Sequence, residues 1–149
     1  MKRLSILLLA IAFSAPVFAQ FPLGSNASEI KTYFAVNIPY SSLQEYKTLT
    51  EGDVLCFTKT RVVGDYTFYF NKSGSCTSYI VTYDAKELNN VIKRFDNKFC
   101  KLHDAEWESE EGDYTVAITP PNPGANYFSV TYKPLPGIVS YQYNTLASN

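Results

Sequence analysis

The chain has 149 residues, 46% hydrophobic and 18% charged, with 13 basic against 14 acidic side chains. Such a balance gives no electrostatic case for nucleic acid or an anionic membrane surface, and the length suits one domain with one real core. One histidine and three cysteines leave little for metal or nucleophile chemistry; no Gly-rich phosphate loop, Ser/His/Asp pattern or paired metal motif is present, so no cofactor is implied.

Met1 to Ala19 reads as a secretory signal peptide: Lys2 and Arg3 lead, Leu4 to Phe13 is apolar, and Val17-Phe18-Ala19 offers small residues at the cleavage positions. Cleavage is expected before Gln20, and the absence of a cysteine there argues against a lipoprotein anchor. Without Lys2 and Arg3, 11 basic side chains stand against 14 acidic ones, a mature charge of about −3. The expected location is secreted or periplasmic, with no integral membrane segment after cleavage. No internal repeat or low-complexity segment stands out.

The mature fold begins at Leu23. Ser25 or Asn26 can cap a helix, with Glu29 placed for a capping box and Ile30, Tyr33 and Phe34 as its apolar face. Pro39 ends that helix, and a second short helical piece is expected over Ser41 to Lys47, with contacts at Leu43 and Tyr46. Asp53 to Thr60 reads as a strand. After the Val62 to Asp65 turn come Tyr66 to Phe70, the turn formers Asn71 to Ser75, and Cys76 to Tyr83, a hairpin in which Phe68 should face Tyr79, Tyr66 face Val81 and Phe70 face Thr77. Asp84 and Glu87 suggest a second capping box, and Leu88, Val91, Ile92, Phe95, Phe99 and Leu102 recur at helical spacing. This helix should cover Phe57, Phe68, Phe70, Tyr79 and Val81. Ala105 to Ser109 reads as a strand with Trp107 inward; Tyr114 to Ile118 and Tyr127 to Tyr132 follow, joined by the proline-stiffened Pro120 to Gly124 loop. The predicted class is α+β: a mostly antiparallel sheet of about six strands, one long amphipathic helix and one or two short N-terminal helices. The predicted organisation is a signal peptide over 1–19, a single domain over 20–133, and an extension over 134–149 forming an edge strand or a partly disordered tail.

The Gly24-Ser25-Asn26-Ala27-Ser28-Glu29-Ile30 opening, a helical start before an antiparallel sheet, and an export signal together resemble the SmpA and β-lactamase-inhibitory-protein type of small extracytoplasmic bacterial domain. The Tyr69-Phe70-Asn71-x-x-Gly74-x-Cys76 run and the Trp107 strand are similar to small secreted bacterial proteins of unknown function. The resemblance implies protein binding or assembly work and carries over no functional residue.

Among candidate chemical groups, Cys56, Cys76 and Cys100 form an odd set in an exported chain. On the expected register Cys56 and Cys76 share a face about 10 Å apart, so a Cys76–Cys100 disulfide is preferred, with buried free thiols as the alternative. Asp104, Glu106, Glu108 and Glu110 would line one strand face, as a solvated edge or an attractor of a cation or basic partner; His103 begins that run. Strand alternation sets Tyr69 opposite the Phe68 and Phe70 face, beside Thr58, Ser78 and Ile80, a second sheet face with no assigned cover and the candidate binding surface. The sequons Asn26-Ala27-Ser28 and Asn71-Lys72-Ser73 matter only in a eukaryotic secretory route. The expected function is non-enzymatic protein binding through an exposed sheet face or edge, the partner being another protein. The alternatives are a small hydrolase-like enzyme with scattered residues near His103, and a structural component of an envelope assembly.

Overall fold

The computed structural model describes residues 22–38, 41–50, 52–59 and 64–136. The expected signal peptide, the centre of the Val62 to Asp65 turn and the segment from 137 onward lie outside the described residues. The elements in chain order are α1 (Ala27–Asn37), β1 (Ser41–Leu49), β2 (Gly52–Lys59), β3 (Asp65–Phe70), β4 (Cys76–Asp84), a 3-10 turn (Ala85–Glu87), α2 (Leu88–Lys98), β5 (Cys100–His103), β6 (Glu106–Glu108), β7 (Tyr114–Thr119) and β8 (Tyr127–Pro134). Among the described residues the strands form one eight-stranded antiparallel sheet in the order β1-β2-β3-β4-β8-β7-β6-β5. No helix among the described residues is long and apolar enough to cross a membrane.

This architecture corrects the expected α+β balance of about six strands and one long helix. Among the described residues sheet dominates, and each of the two α-helices has 11 residues. Two local readings account for the difference. Ser41 to Lys47 is the edge strand β1 and not a helix: the register slips between Leu43 and Glu45, so that Leu43 opposes Phe57 and Tyr46 opposes Leu55. A β-bulge thereby puts residues three apart on the same face, a spacing that imitates a helix. At the other site α2 ends at Lys98, Phe99 turns extended, and Cys100 to His103 form β5 with Leu102 exposed. The Phe99 ring still packs 5.4 Å from that of Phe95, which is why it fits the helical spacing without being helical.

The capping box of α1 forms as expected, with Glu29 N donating to Asn26 Oδ1 at 3.0 Å and Asn26 N donating to Glu29 Oε2 at 2.9 Å. The second box does not. Asp84 Oδ1 accepts from Lys86 N at 2.9 Å, the 3-10 turn intervenes, and Glu87 Oε2 accepts from Asn90 Nδ2. In the hairpin, Phe68 opposes Tyr79 and Tyr66 opposes Val81 as the alternation predicts, but a bulge at its end sets Phe70 against Cys76 in place of Thr77.

Two hydrophobic clusters lie on one side of the sheet, each beneath one helix. Ile30 and Phe34 of α1 pack on Leu55, Phe57, Phe68, Phe70 and Cys76; Val91 and Phe95 of α2 pack on Trp107, Val116, Ile118, Phe128 and Val130. The hairpin face expected beneath α2 is therefore covered by α1. Trp107 is fully buried, with Nε1 donating to Asp96 Oδ1 at 2.9 Å.

The chain thus repeats one unit, a helix followed by four antiparallel strands, and joins the copies through β4 and β8. Val81 pairs directly with Val130, each within a Val-Thr-Tyr run (Val81-Thr82-Tyr83 and Val130-Thr131-Tyr132). That pair marks a pseudo-twofold axis normal to the sheet. Gly-Asp-Tyr-Thr also recurs, at 64–67 and 112–115, but in shifted registers: Tyr66 opposes Val81, whereas Tyr114 opposes Pro134 and Ile118 takes the place opposite Val130. The sequence reading, which found no repeat, is corrected by the topology.

Candidate functional site

Side chains alternate across a strand, and adjacent strands keep that alternation in register. Because both helices pack on the face carrying Leu55, Phe68, Val81, Val130 and Val116, neither covers the other face. Thr58, Tyr69, Ser78 and Ile80 all lie on that bare face, with Tyr69 opposite Ser78 and Ile80 opposite Thr67. One continuous cross-strand row there runs Cys56, Thr67, Ile80, Thr131, Ala117 and Glu106. Hydroxyls dominate the next row, where Thr58 Oγ1 donates to Asp65 Oδ1 at 2.6 Å and Asp65 N donates to Thr82 Oγ1 at 2.6 Å. Two tyrosines stand on this surface, Tyr69 at 36% exposed and, at the start of β8, Tyr127 at 61% exposed.

The structure does not bring the cysteines together; all three are free thiols. Cys76 is buried under α1, its thiol pushed up to about 12 by burial, while Cys100 is exposed on β5. Four inter-strand steps separate β4 from β5, roughly 19 Å at the usual strand spacing, too far for the Cys76–Cys100 bond. Nor do Cys56 and Cys76 share a face, for Cys56 stands on the bare side, 3.7 Å from Thr67 Oγ1.

The acidic run also divides. Glu106 and Glu108 share the bare face of β6, Asp104 sits with Ala105 in the β5–β6 turn, and Glu110 lies in the β6–β7 turn. His103 is exposed and opposes Glu106 in register. No group of three or more metal-ligating side chains forms among the described residues. An open recess of about 400 Å³ between α2 and the β6–β7 turn includes Lys98, Phe99, Glu110 and Tyr114, and the His103 side chain does not line it.

On the helix side the sequence reading missed a second assembly. Over the β4–β8 seam, between the two clusters, stand Tyr66, Tyr79, Tyr83, Tyr114 and Tyr132, all half-buried. Tyr79 and Tyr132 stack at 4.3 Å with an interplanar angle of 4°, and Tyr83 stacks on Phe128 at 5.4 Å, related pairs about the Val81–Val130 axis. Burial raises all five phenols, that of Tyr66 to about 12. The Arg94 guanidinium of α2 lies 5.9 Å above the Tyr83 ring and counteracts the rise at Tyr66, Tyr83 and Tyr132. The alternate placing of Tyr79 and Tyr83 on one strand was visible in the sequence; the pairing of β4 with β8, which sets Tyr132 beside them, was not. In comparisons with known proteins, the chain matches no family model, no curated protein and no solved structure.

Proposed function

We propose that the protein is a secreted or periplasmic, non-enzymatic binding domain that engages another protein through the bare face of its sheet. The observation that carries this reading is the placement of both helices on one side of an eight-stranded sheet. A broad surface of threonine, serine and aliphatic side chains around Tyr69 and Ile80 is left to contact a partner. Such a face combines aromatic anchoring with adaptable hydroxyl bonding, as recognition surfaces do. The resemblance to inhibitory-protein-type domains supports the same reading, since it implies binding and not catalysis.

The test is photo-cross-linking in the native host, with the cross-linking residue introduced at Thr67 or Thr131, together with fractionation and N-terminal sequencing. A discrete cross-linked protein that disappears in Tyr69→Glu and Ile80→Lys variants of unchanged Tm is the expected result, from a mature chain beginning at Gln20. Cross-links only from the helix side, at Val36 for example, would overturn the assignment of the face. A cytoplasmic, uncleaved chain would overturn the location.

A further inference from the structure

The two edges of the sheet are not alike, and β1 is the one suited to further pairing. It is nine residues long, contains no proline, and among the described residues pairs with β2 alone. Three large exposed hydrophobic side chains stand on it, Leu43 at 45%, Tyr46 at 45% and Leu49 at 50%, and no other described strand carries more than one. An edge of that length and character is a template for another strand. Its bulge lies between Leu43 and Glu45, so Glu45 to Leu49 keep an unbroken register against Cys56 to Gly52. The Tyr46 ring is held in place within this stretch: its hydroxyl donates to Asp53 Oδ2, and Lys31 Nζ of α1 lies 4.8 Å from its centroid.

The strand that fits this edge best is β1 itself. Within the chain, the β4–β8 junction already joins two helix-and-four-strand units edge to edge, with both helices on one side and an axis normal to the sheet. For two β1 edges, an axis of that kind passes between one residue and its own counterpart, because the members of a cross-strand pair share a face. Charge then selects the residue. Centring on Glu45 opposes two glutamates, centring on Lys47 opposes two lysines, and centring on Thr48 sets each Lys47 against a leucine, Leu49. Centring on Tyr46 sets Glu45 of one copy opposite Lys47 of the other, twice by symmetry, and places the two Tyr46 residues side by side on the helix face.

We propose that β1 pairs antiparallel with β1 of a second copy of the chain, centred on Tyr46, so that two eight-stranded sheets join into one with the α-helices of both copies on the same side. The bare faces stay uncovered and come to lie side by side. The pairing goes beyond the proposed binding function and does not depend on it, so failure of one reading leaves the other standing.

The experiment is analytical ultracentrifugation of the purified chain over a range of concentrations, with hydrogen exchange on the same samples. A reversible monomer–dimer equilibrium is expected, and β1 amides that exchange fast in the dilute monomer should slow as the dimer forms. Glu45→Lys alone or Lys47→Glu alone should weaken the dimer about tenfold or more, because two attractive cross-strand pairs become repulsive. Mixing the two variants should restore association, since each chain then supplies the charge the other lacks, and the double variant should dimerise like the native chain. Misfolding could not produce that rescue; Tm is measured for each variant, and added salt should narrow the differences. Any of three results would overturn the proposal. One is a monomer at every concentration up to about 1 mM, with the edge taken by residues 137–149 of its own chain or left open. The others are growth past the dimer, as pairing of β1 with β5 would give, and a dimer indifferent to both reversals and to their mixing.

Discussion

Gly52 adopts φ +140°, and a Cβ built on it would lie 1.8 Å from the Phe70 carbonyl oxygen. Both the left-handed backbone and the close approach of the β3 end therefore demand glycine at the tip of the β1–β2 hairpin. Gly52→Ala should lower stability by about 3 kcal/mol or more, read as a reduced urea midpoint, because the clash is with backbone and cannot be relieved by a rotamer change. At this scale the tyrosines and Cys76 also carry a pH signature. Their folded pKa values lie above the unfolded ones, so the stability associated with their neutral forms is complete below the unfolded values of about 8.5 for a thiol and 10 for a phenol. It is lost as the unfolded chain ionises and the folded one does not, up to and through about 12 for Cys76 and Tyr66, and burial raises Tyr79 and Tyr132 in the same sense. Stability should therefore be level near neutrality and fall steeply above about pH 9. Phenolate absorbance at 295 nm should show the buried tyrosines titrating late, in step with unfolding; simple titration of every tyrosine near pH 10 would contradict the packing of the seam.

The elements explain which parts of the fold could be read in advance. The β3–β4 hairpin, the α1 capping box and the inward Trp107 follow from local alternation and short-range hydrogen bonding, and the structure contains all three. β1 and β5 were hidden because a bulge put Leu43 and Tyr46 three apart on one face, and because Phe99 and Leu102 continue the spacing of α2 after it has ended. Which helix covers which strands is a non-local property that depends on β4 pairing with β8, and so neither the cover over Phe57 and Phe68 nor the tyrosine seam was legible. That Thr58, Tyr69, Ser78 and Ile80 share one face was legible, since it needs only strand parity; that neither helix covers that face was not. That division makes α1 a specific target. Phe34 stacks on Phe57 at 4.3 Å and meets Tyr66 and Phe68 edge-on at 5.1 and 5.5 Å. Phe34→Ala should cost about 3–5 kcal/mol by chemical denaturation. If α2 covered the hairpin, the loss would be small.

The whole sheet is ordered from its centre outward. β4 and β8 pair on both sides, meet on the pseudo-twofold axis at Val81 and Val130, and carry the buried rows of both clusters. The two edges differ from the centre and from each other. β5 is four residues long, exposed throughout and flanked by the Lys101–Asp96 pair, so it offers a short, charged edge. β1 is nine residues long with Leu43, Tyr46 and Leu49 exposed, and among the described residues it pairs with β2 alone. Local opening follows the number of buried contacts and paired neighbours, and it sets the exchange rate of amide hydrogens. Native-state hydrogen exchange should therefore find the slowest amides in β4 and β8 around Val81 and Val130, opening only with global unfolding. β3 and β7 should come next, with β1 and β5 exchanging fastest. Slow exchange in one helix-and-four-strand half with fast exchange in the other would mean that the halves are separate cooperative units. A joint transition is expected instead, because the row from Leu55 through Phe68, Tyr79, Tyr132 and Val116 to Trp107 crosses the axis without a break. Opening either half would uncover the stacked Tyr79–Tyr132 pair on which the other half rests.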